Sequence, residues 1–203
     1  MSEVQAAPLL PYLRIPGFLD ANEHSTLFDW TLANEARFLP ARVAGGQLEP
    51  RARTALSLRD LGPMATVFAD RLRDAAPAWT AALRATPFET TEVELELAAH
   101  NDGAHFTLHS DTYSSAEPSR GDRMLSAVYY FHRQPRAFEG GSLRLHRLGA
   151  SPGDPGLDLA PDDNCLVVFP SWGPHEVMRV SCPSRAFADS RFAVNGWIYR
   201  ARR

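Results

Sequence analysis

"HFTLHSDTYS", residues 105–114, decides how the rest of this chain is read. Two histidines and an aspartate crowd together here, and His109 and Asp111 lie two apart. In an extended chain that spacing puts both side chains on one face. The segment is then either half of a metal site or a polar strand end that contains histidines, and a third ligand downstream separates the two. His175 offers one. It follows the tight turn in "FPSWGPHEV", 64 positions beyond Asp111, a gap that two hairpins would fill. His109, Asp111 and His175 would then form a two-histidine, one-carboxylate set. Such a set occupies one face of an octahedral ferrous ion and leaves the opposite face open for other ligands.

The surrounding chain reads as two regimes. "DANEHSTLFDWTLANEARF" (20–38) predicts a helix with Asp20 as N-cap. "GPMATVFADRLRDAAPAW" (62–79) places Met64, Val67, Phe68, Leu72 and Ala75 on one helical face, and Pro77 is expected to end or restart that helix. Between them, "ARVAGGQLEPRARTALSL" (41–58) reads as a loop with Gly45-Gly46, then a short strand. The pattern changes near residue 90. "TEVELELAAH" alternates Glu92, Glu94 and Glu96 with Val93, Leu95 and Leu97, which predicts a strand with one solvated face. Further strands are expected over 123–132, 141–148, 164–170, 175–180 and 191–200, separated by turn material such as "FEGG", "GASPGDPG" and "PSWGP". Helices followed by six or seven short strands predict a β-sandwich or jelly-roll barrel with the helices packed outside it. The expected organisation is a single domain over 1–203, with 1–88 as mainly helical support and 89–203 as the jelly-roll core.

Composition excludes more than it suggests. A net charge of −3 gives no reason to expect nucleic acid or an anionic membrane as partner. No apolar run approaches the roughly 18 residues needed to span a bilayer. "MSEVQAAPLLPYLRI" lacks the basic and apolar regions of a signal peptide. Two cysteines, Cys165 and Cys182, are too few for a disulfide scaffold, so a reducing cytoplasm is the expected compartment.

Four segments in register extend the metal motif: "HNDGAHFTLHSDT", "LSAVYYFHRQPRAFEGGSLRLH", "LVVFPSWGPHEV" and "RFAVNGW". Together they resemble the iron(II)/2-oxoglutarate-dependent dioxygenases, in particular the prolyl 4-hydroxylase-like branch, over about residues 90–200. The resemblance implies a mainly β fold with flanking helices around a double-stranded β-helix (jelly-roll) core. It implies iron(II) held by His109, Asp111 and His175, with 2-oxoglutarate as cosubstrate and O2 as oxidant. Arg191 matches the residue that grips the distal carboxylate of 2-oxoglutarate. A planar guanidinium suits that task because it makes two parallel charge-assisted bonds and stays charged when buried. Read without the resemblance, Arg191 would be a strand-end arginine paired at the surface with Asp189. Tyr130 matches a tyrosine whose hydroxyl reaches the same carboxylate. Val128 shares its parity and Tyr129 points the other way. Leu143 would pack on the cosubstrate's methylenes. Asn195 and Trp197 share parity with Arg191 and are candidate substrate contacts.

The chain departs from the family pattern at three places. His100 stands where the family often has a tyrosine, so an imidazole either takes that role or is a core histidine. His175 and Arg191 are 16 apart, farther than usual, which makes "SCPSRAFADS" a longer hairpin. Arg185 in that insertion is a poorer candidate than Arg191. His105 shares a face with His109 only if their strand is unbroken, and reads as structural or substrate-facing.

The implied reaction hydroxylates an unactivated C–H bond, with succinate and carbon dioxide as coproducts. The branch points to a prolyl residue in a protein or peptide. A free amino acid or other small molecule is the alternative substrate, and a non-catalytic metal-binding jelly roll is the alternative from another class. A zinc hydrolase also suits the ligand set, but it lacks a general base, since Glu176 should face away from His175. Arg42, Arg51, Arg53, Arg120 and Arg123 could meet a carboxylate on the substrate, although solvated surface charge is the ordinary reading.

Overall fold

The computed structural model describes residues 10–43, 47–112 and 121–202. Gly45-Gly46, Arg120, most of the loop after Asp111 and the first nine residues lie outside the described residues. The chain opens with β1 (Leu13–Pro16), α1 (Ala21–Ala33), β2 (Leu39–Pro40), β3 (Arg53–Thr54), β4 (Leu56–Leu58) and α2 (Met64–Ala82). β5 (Glu92–His100), β6 (His105–His109), β7 (Asp122–Phe131), β8 (Glu139–Gly140) and β9 (Leu143–Leu145) follow. β10 (Leu157–Leu159), β11 (Cys165–Pro170), β12 (His175–Val177), β13 (Val180–Ser181) and β14 (Arg191–Arg200) complete it.

The strands form two facing antiparallel sheets. One runs in the order β1-β11-β7-β14-β5-β4-β2, the other β10-β9-β12-β6-β3, with β13 and β8 as a separate pair. This is the expected jelly roll, with more strands than the sequence predicts. β1, β3 and β4, from the N-terminal part, pair with β11, β6 and β5 and so extend both sheets. The expected strand over 141–148 shortens to β9, and that over 175–180 divides between β12 and β13. β14 keeps its expected bounds.

Each face of the larger sheet has its own core. Outward, α2 lies on β5, β7 and β14. There Phe68 and Leu72 pack with Leu97, Leu125, Tyr129, Phe192, Val194 and Ile198 in one buried cluster. Full burial of each such side chain contributes roughly 1.5–3 kcal/mol. Gly196 lets the helix approach, since a Cβ there would fall 2.5 Å from Leu72 Cδ1. Inward, between the sheets, Tyr130, Leu143, Leu145, Val167, Phe169 and Ala193 form a second cluster. Alternation along β7 and β14 therefore sends neighbouring residues to two different environments.

Two expectations are corrected. Pro77 does not end α2, which continues to Ala82. Ala76, Trp79 and Thr80 are buried on either side of it, and that packing outweighs the backbone hydrogen bond that proline cannot make. The acidic face of β5 is not solvated either. Glu94 and Glu96 are both buried, because arginines from other strands meet them. Among the described residues no helix is long and apolar enough to cross a membrane. Cys165 and Cys182 are free thiols, both buried.

Candidate active site and metal centre

A bulge in β6 builds the metal centre. His175 pairs with His109, yet Val177, two residues on, pairs with Phe106, three residues back. Residues three apart on a regular strand face opposite ways. Here the extra residue cancels that alternation, and the rings of Phe106 and His109 stack with centroids 3.6 Å apart. Bulges beside functional sites re-aim side chains in this way. His109 is turned toward His175, 4.2 Å between ring centroids. His105 is left behind, its ring nitrogens against the Gly103 and Arg51 carbonyls, so it is structural. Asp111 is tied to the same place by its N–H, which donates to Ser171 O at 2.9 Å.

The ligand atoms of His109, Asp111 and His175 all lie within 4.8 Å of one another. His109 Nε2 is 3.8 Å from Asp111 Oδ1, and His175 Nε2 is 3.6 Å from Oδ2. His109 Nδ1 donates to Thr107 O at 2.7 Å and His175 Nδ1 to Gly173 O at 2.9 Å. Each proton therefore sits on Nδ1, and each Nε2 lone pair is available to a metal. Burial, helped by the adjacent His175, pushes the His109 imidazole far below its ordinary range and keeps it neutral. Burial alone would raise Asp111. His175, His109, the hydrogen bond from Ser126 and the charge of Arg123 outweigh it and hold the carboxyl below its usual value. Ser126 Oγ donates to Asp111 Oδ2 at 2.6 Å and lies 2.9 Å from Ser171 Oγ. Two neutral imidazoles and one carboxylate held ionised are a donor set suited to iron(II).

Beyond the triad, a pocket reaches inward. His100, Ser126, Val128, Leu143, Arg191, Asn195 and Trp197 line it with the triad. Arg191 is 1% exposed and is not the surface partner of Asp189, which pairs with Arg133. Its Nε donates to Gly141 O at 2.7 Å. Gly141 has φ +69°, and a Cβ there would fall 2.6 Å from Arg191 Cδ. The glycine pair of the hairpin thus makes room for the arginine. Tyr130 lies beneath the guanidinium, 4.8 Å from Cζ to ring centroid, while Tyr129 faces the helices and donates to Asn164. Arg185, largely exposed, pairs with Asp102. Glu176 is engaged by His146 at 3.0 Å and is absent from the pocket lining, so it offers no general base there.

Three buried polar atoms at the inner end have no partner among the described residues: Arg191 Nη2, His100 Nε2 and Tyr130 Oη. Arg191 Nη1 lies 3.3 Å from His100 Nδ1. Because a guanidinium has only donors, Nδ1 must accept and the imidazole proton must sit on Nε2. Burial and the charge of Arg191 keep His100 neutral, well below its ordinary range. Burial pushes the Tyr130 phenol up to about 12, so it too stays protonated. The result is three orphaned donors near one another, each costing about 1–3 kcal/mol unless an acceptor arrives.

Matched against known families, residues 95–199 fit the profile of the 2OG-Fe(II) oxygenase superfamily. The chain belongs to that superfamily. Oxygenases of this superfamily work with iron(II), 2-oxoglutarate and O2, and the residues present fit all that such a site must hold. The triad offers three metal donors, and the orphaned donors suit a buried carboxylate. The chain is 33% identical over 192 residues to an uncharacterized PKHD-type hydroxylase of Synechocystis sp., covering 92% of this chain and 62% of the relative. The chain thus spans less than two thirds of that relative's length. Its fold resembles a Pseudomonas putida prolyl-4-hydroxylase with a TM-score of 0.68 at 24% identity, over 94% of this chain and 93% of that one. It also resembles a Trichoplax adhaerens prolyl hydroxylase solved with a hypoxia inducible factor peptide, TM-score 0.67 at 18% identity, over 93% and 83% of the two chains.

The sequence reading passes over Ser126 and takes the charged residues around this site as solvated. Ser126 shares strand parity with Val128 and Tyr130, a signal that would have placed it inside. Arg53 and Arg123 are buried rather than solvated, with side chains 8% and 6% exposed. Glu94 and Glu96, read as a wet face, are what hold them. Only the packing of strands distant in sequence reveals these pairs.

Proposed function

We propose that this chain is an iron(II)- and 2-oxoglutarate-dependent dioxygenase that hydroxylates an unactivated C–H bond of a prolyl residue in a protein or peptide. Succinate and carbon dioxide are the coproducts. The observation that carries the reading is the set of three orphaned donors at the inner end of a pocket whose mouth is a His-Asp-His triad. The fold shared with prolyl hydroxylases supports the substrate class. The chain acts as one domain, in the cytoplasm, where two buried free thiols are in keeping with a reducing compartment.

His109, Asp111 and His175 would hold iron(II). Arg191, His100 and Tyr130 grip the distal carboxylate of 2-oxoglutarate, and Leu143 and Val128 flank its methylenes. When bound, iron and cosubstrate turn O2 into an oxidant able to attack a C–H bond. The chain's task is positioning: it fixes the cosubstrate at both ends and excludes water with apolar walls. Asn195 and Trp197, on the face of β14 that carries Arg191, meet the substrate near the metal.

The test is an anaerobic titration of metal-free protein with iron(II) and 2-oxoglutarate, reading the visible charge-transfer band of a chelated keto acid. The band is expected in the wild type, absent in His175→Ala, and shifted to higher 2-oxoglutarate concentration in Arg191→Ala. A wild type that binds zinc tightly and never develops the band overturns the assignment.

A further inference from the structure

β5 carries the sequence "EVELE", and its two inward glutamates brace the groove outside the triad. Glu96 accepts from Arg53 Nη2 at 2.6 Å, and Glu94 from Arg123 Nη2 at 2.7 Å. Each arginine lies over an aromatic ring: Arg53 Cζ is 5.1 Å from the Phe106 centroid and Arg123 Cζ 4.1 Å from that of Trp197. Both stacks line the outer groove where it meets His109 and Asp111.

The two arginines are engaged differently. Arg123 gives its Nε–H to Tyr199 Oη at 2.7 Å. Arg53 gives Nη2 to Glu96 and Nη1 to the Arg42 carbonyl at 3.0 Å, while its buried Nε–H has no acceptor among the described residues. Arg53 is also the one arginine, among the described residues, that lines both the inner pocket and the outer groove. Arginines cluster along the groove. Arg59 shares Glu94 with Arg123, and Arg42 is a fourth arginine in the lining. A desolvated donor on a fixed cation, at the junction of the outer groove with the inner pocket, suits an anionic acceptor.

We infer that Arg53 recognises a carboxylate on the primary substrate, beside the carbon that is oxidised. The inference rests on the oxygenase reading and narrows its substrate class. The carboxylate has two possible sources: the α-carboxylate of a free amino acid, or an acidic side chain next to the target residue in a peptide.

Matched probes separate them. Anaerobic protein loaded with iron(II) and 2-oxoglutarate is titrated calorimetrically with L-proline and L-prolinamide, then with the blocked dipeptides Pro-Glu and Pro-Gln. In at least one pair the acid is expected to bind ten or more times tighter than its amide, and the pair that responds names the source. The preference should vanish in Arg53→Gln/Glu96→Gln, which removes both charges and leaves neither buried alone. It should persist in Glu96→Gln, which keeps the arginine and releases its partner. The charge-transfer band in each variant verifies that the metal and cosubstrate site is intact. Equal affinities within both pairs, an acid preference that survives the double variant, or no binding by any of the four probes overturns the inference. A wild type without the band instead overturns the oxygenase reading beneath it.

Discussion

Ser126 shows how much a single hydroxyl can contribute to this site. It donates to Asp111 Oδ2 at 2.6 Å and leans on Ser171, which fixes the carboxylate's orientation and adds to the effect of His175 and His109 in holding its pKa down. Groups that orient a metal ligand in this way typically govern affinity by roughly 10–100-fold. Ser126→Ala is therefore expected to weaken iron(II) binding by about that factor in anaerobic titration, while Ser126→Thr, which keeps a hydroxyl, stays near wild type. An alanine variant with unchanged iron affinity would show that the hydrogen bond has no bearing on the metal. His100 is the instructive case among the residues of the inner pocket. Its identity and number are plain in the sequence, but its role depends on a tautomer. Only the position of Arg191 Nη1 beside Nδ1 puts the proton on Nε2 and makes the ring a donor toward the pocket.

The secondary elements differ in how openly the sequence announces them. β14 is legible to the residue, and it runs over the expected 191–200. The start of α1 is legible as well. Asp20 caps it, and Glu23 closes the reciprocal bond to the Asp20 backbone N–H at 3.0 Å. Asp20→Ala is expected to lower stability by about 1 kcal/mol in urea denaturation, with iron(II) affinity unchanged because the cap lies on the helical side of the larger sheet. A loss of iron affinity in that variant would contradict the separation of the two faces. The bulge in β6 is not legible. No glycine or proline marks it, and it exists because β12 pairs two residues against three. Pro77 misleads in the opposite sense, since the local rule for a helix stop is overridden by burial on both sides of it.

Taken together, the elements make a sheet with two functions, a structural face against the helices and a chemical face toward the second sheet. Glu94 belongs to the chemical face and links β5, β7 and β14 through Arg123 and Tyr199. Burial alone would raise its pKa. The Tyr199 hydroxyl, Arg123 and Arg59 outweigh burial and hold it below its ordinary 4.5. A carboxyl depressed on folding stabilises the native state above its unfolded pKa, and that contribution is lost as pH falls through the folded value. Glu94 should thus support stability fully at pH 7 and progressively less below about pH 4.5. Glu94→Gln is expected to be less stable than wild type at pH 7, with the gap closing on acidification in urea melts. A gap that stays constant down to pH 3 would mean that shape, and not charge, is what the glutamate contributes.

The candidate triad of His109, Asp111 and His175, the place of Arg191 at the head of the last strand and the jelly-roll class are all legible in the sequence, because each is carried by short motifs. His109-x-Asp111 sits within one strand end, His175 follows its own turn, and Arg191 opens its own strand. What required the tertiary structure was every pairing between segments far apart in the chain. Arg53 with Glu96, Arg123 with Glu94, Ser126 with Asp111 and Gly141 under Arg191 are contacts across 15 to 50 residues, and the bulge that faces His109 toward His175 also depends on a distant strand. Local pattern records which face a side chain takes. Whether that face meets water or an arginine is decided by the strand that folds over it.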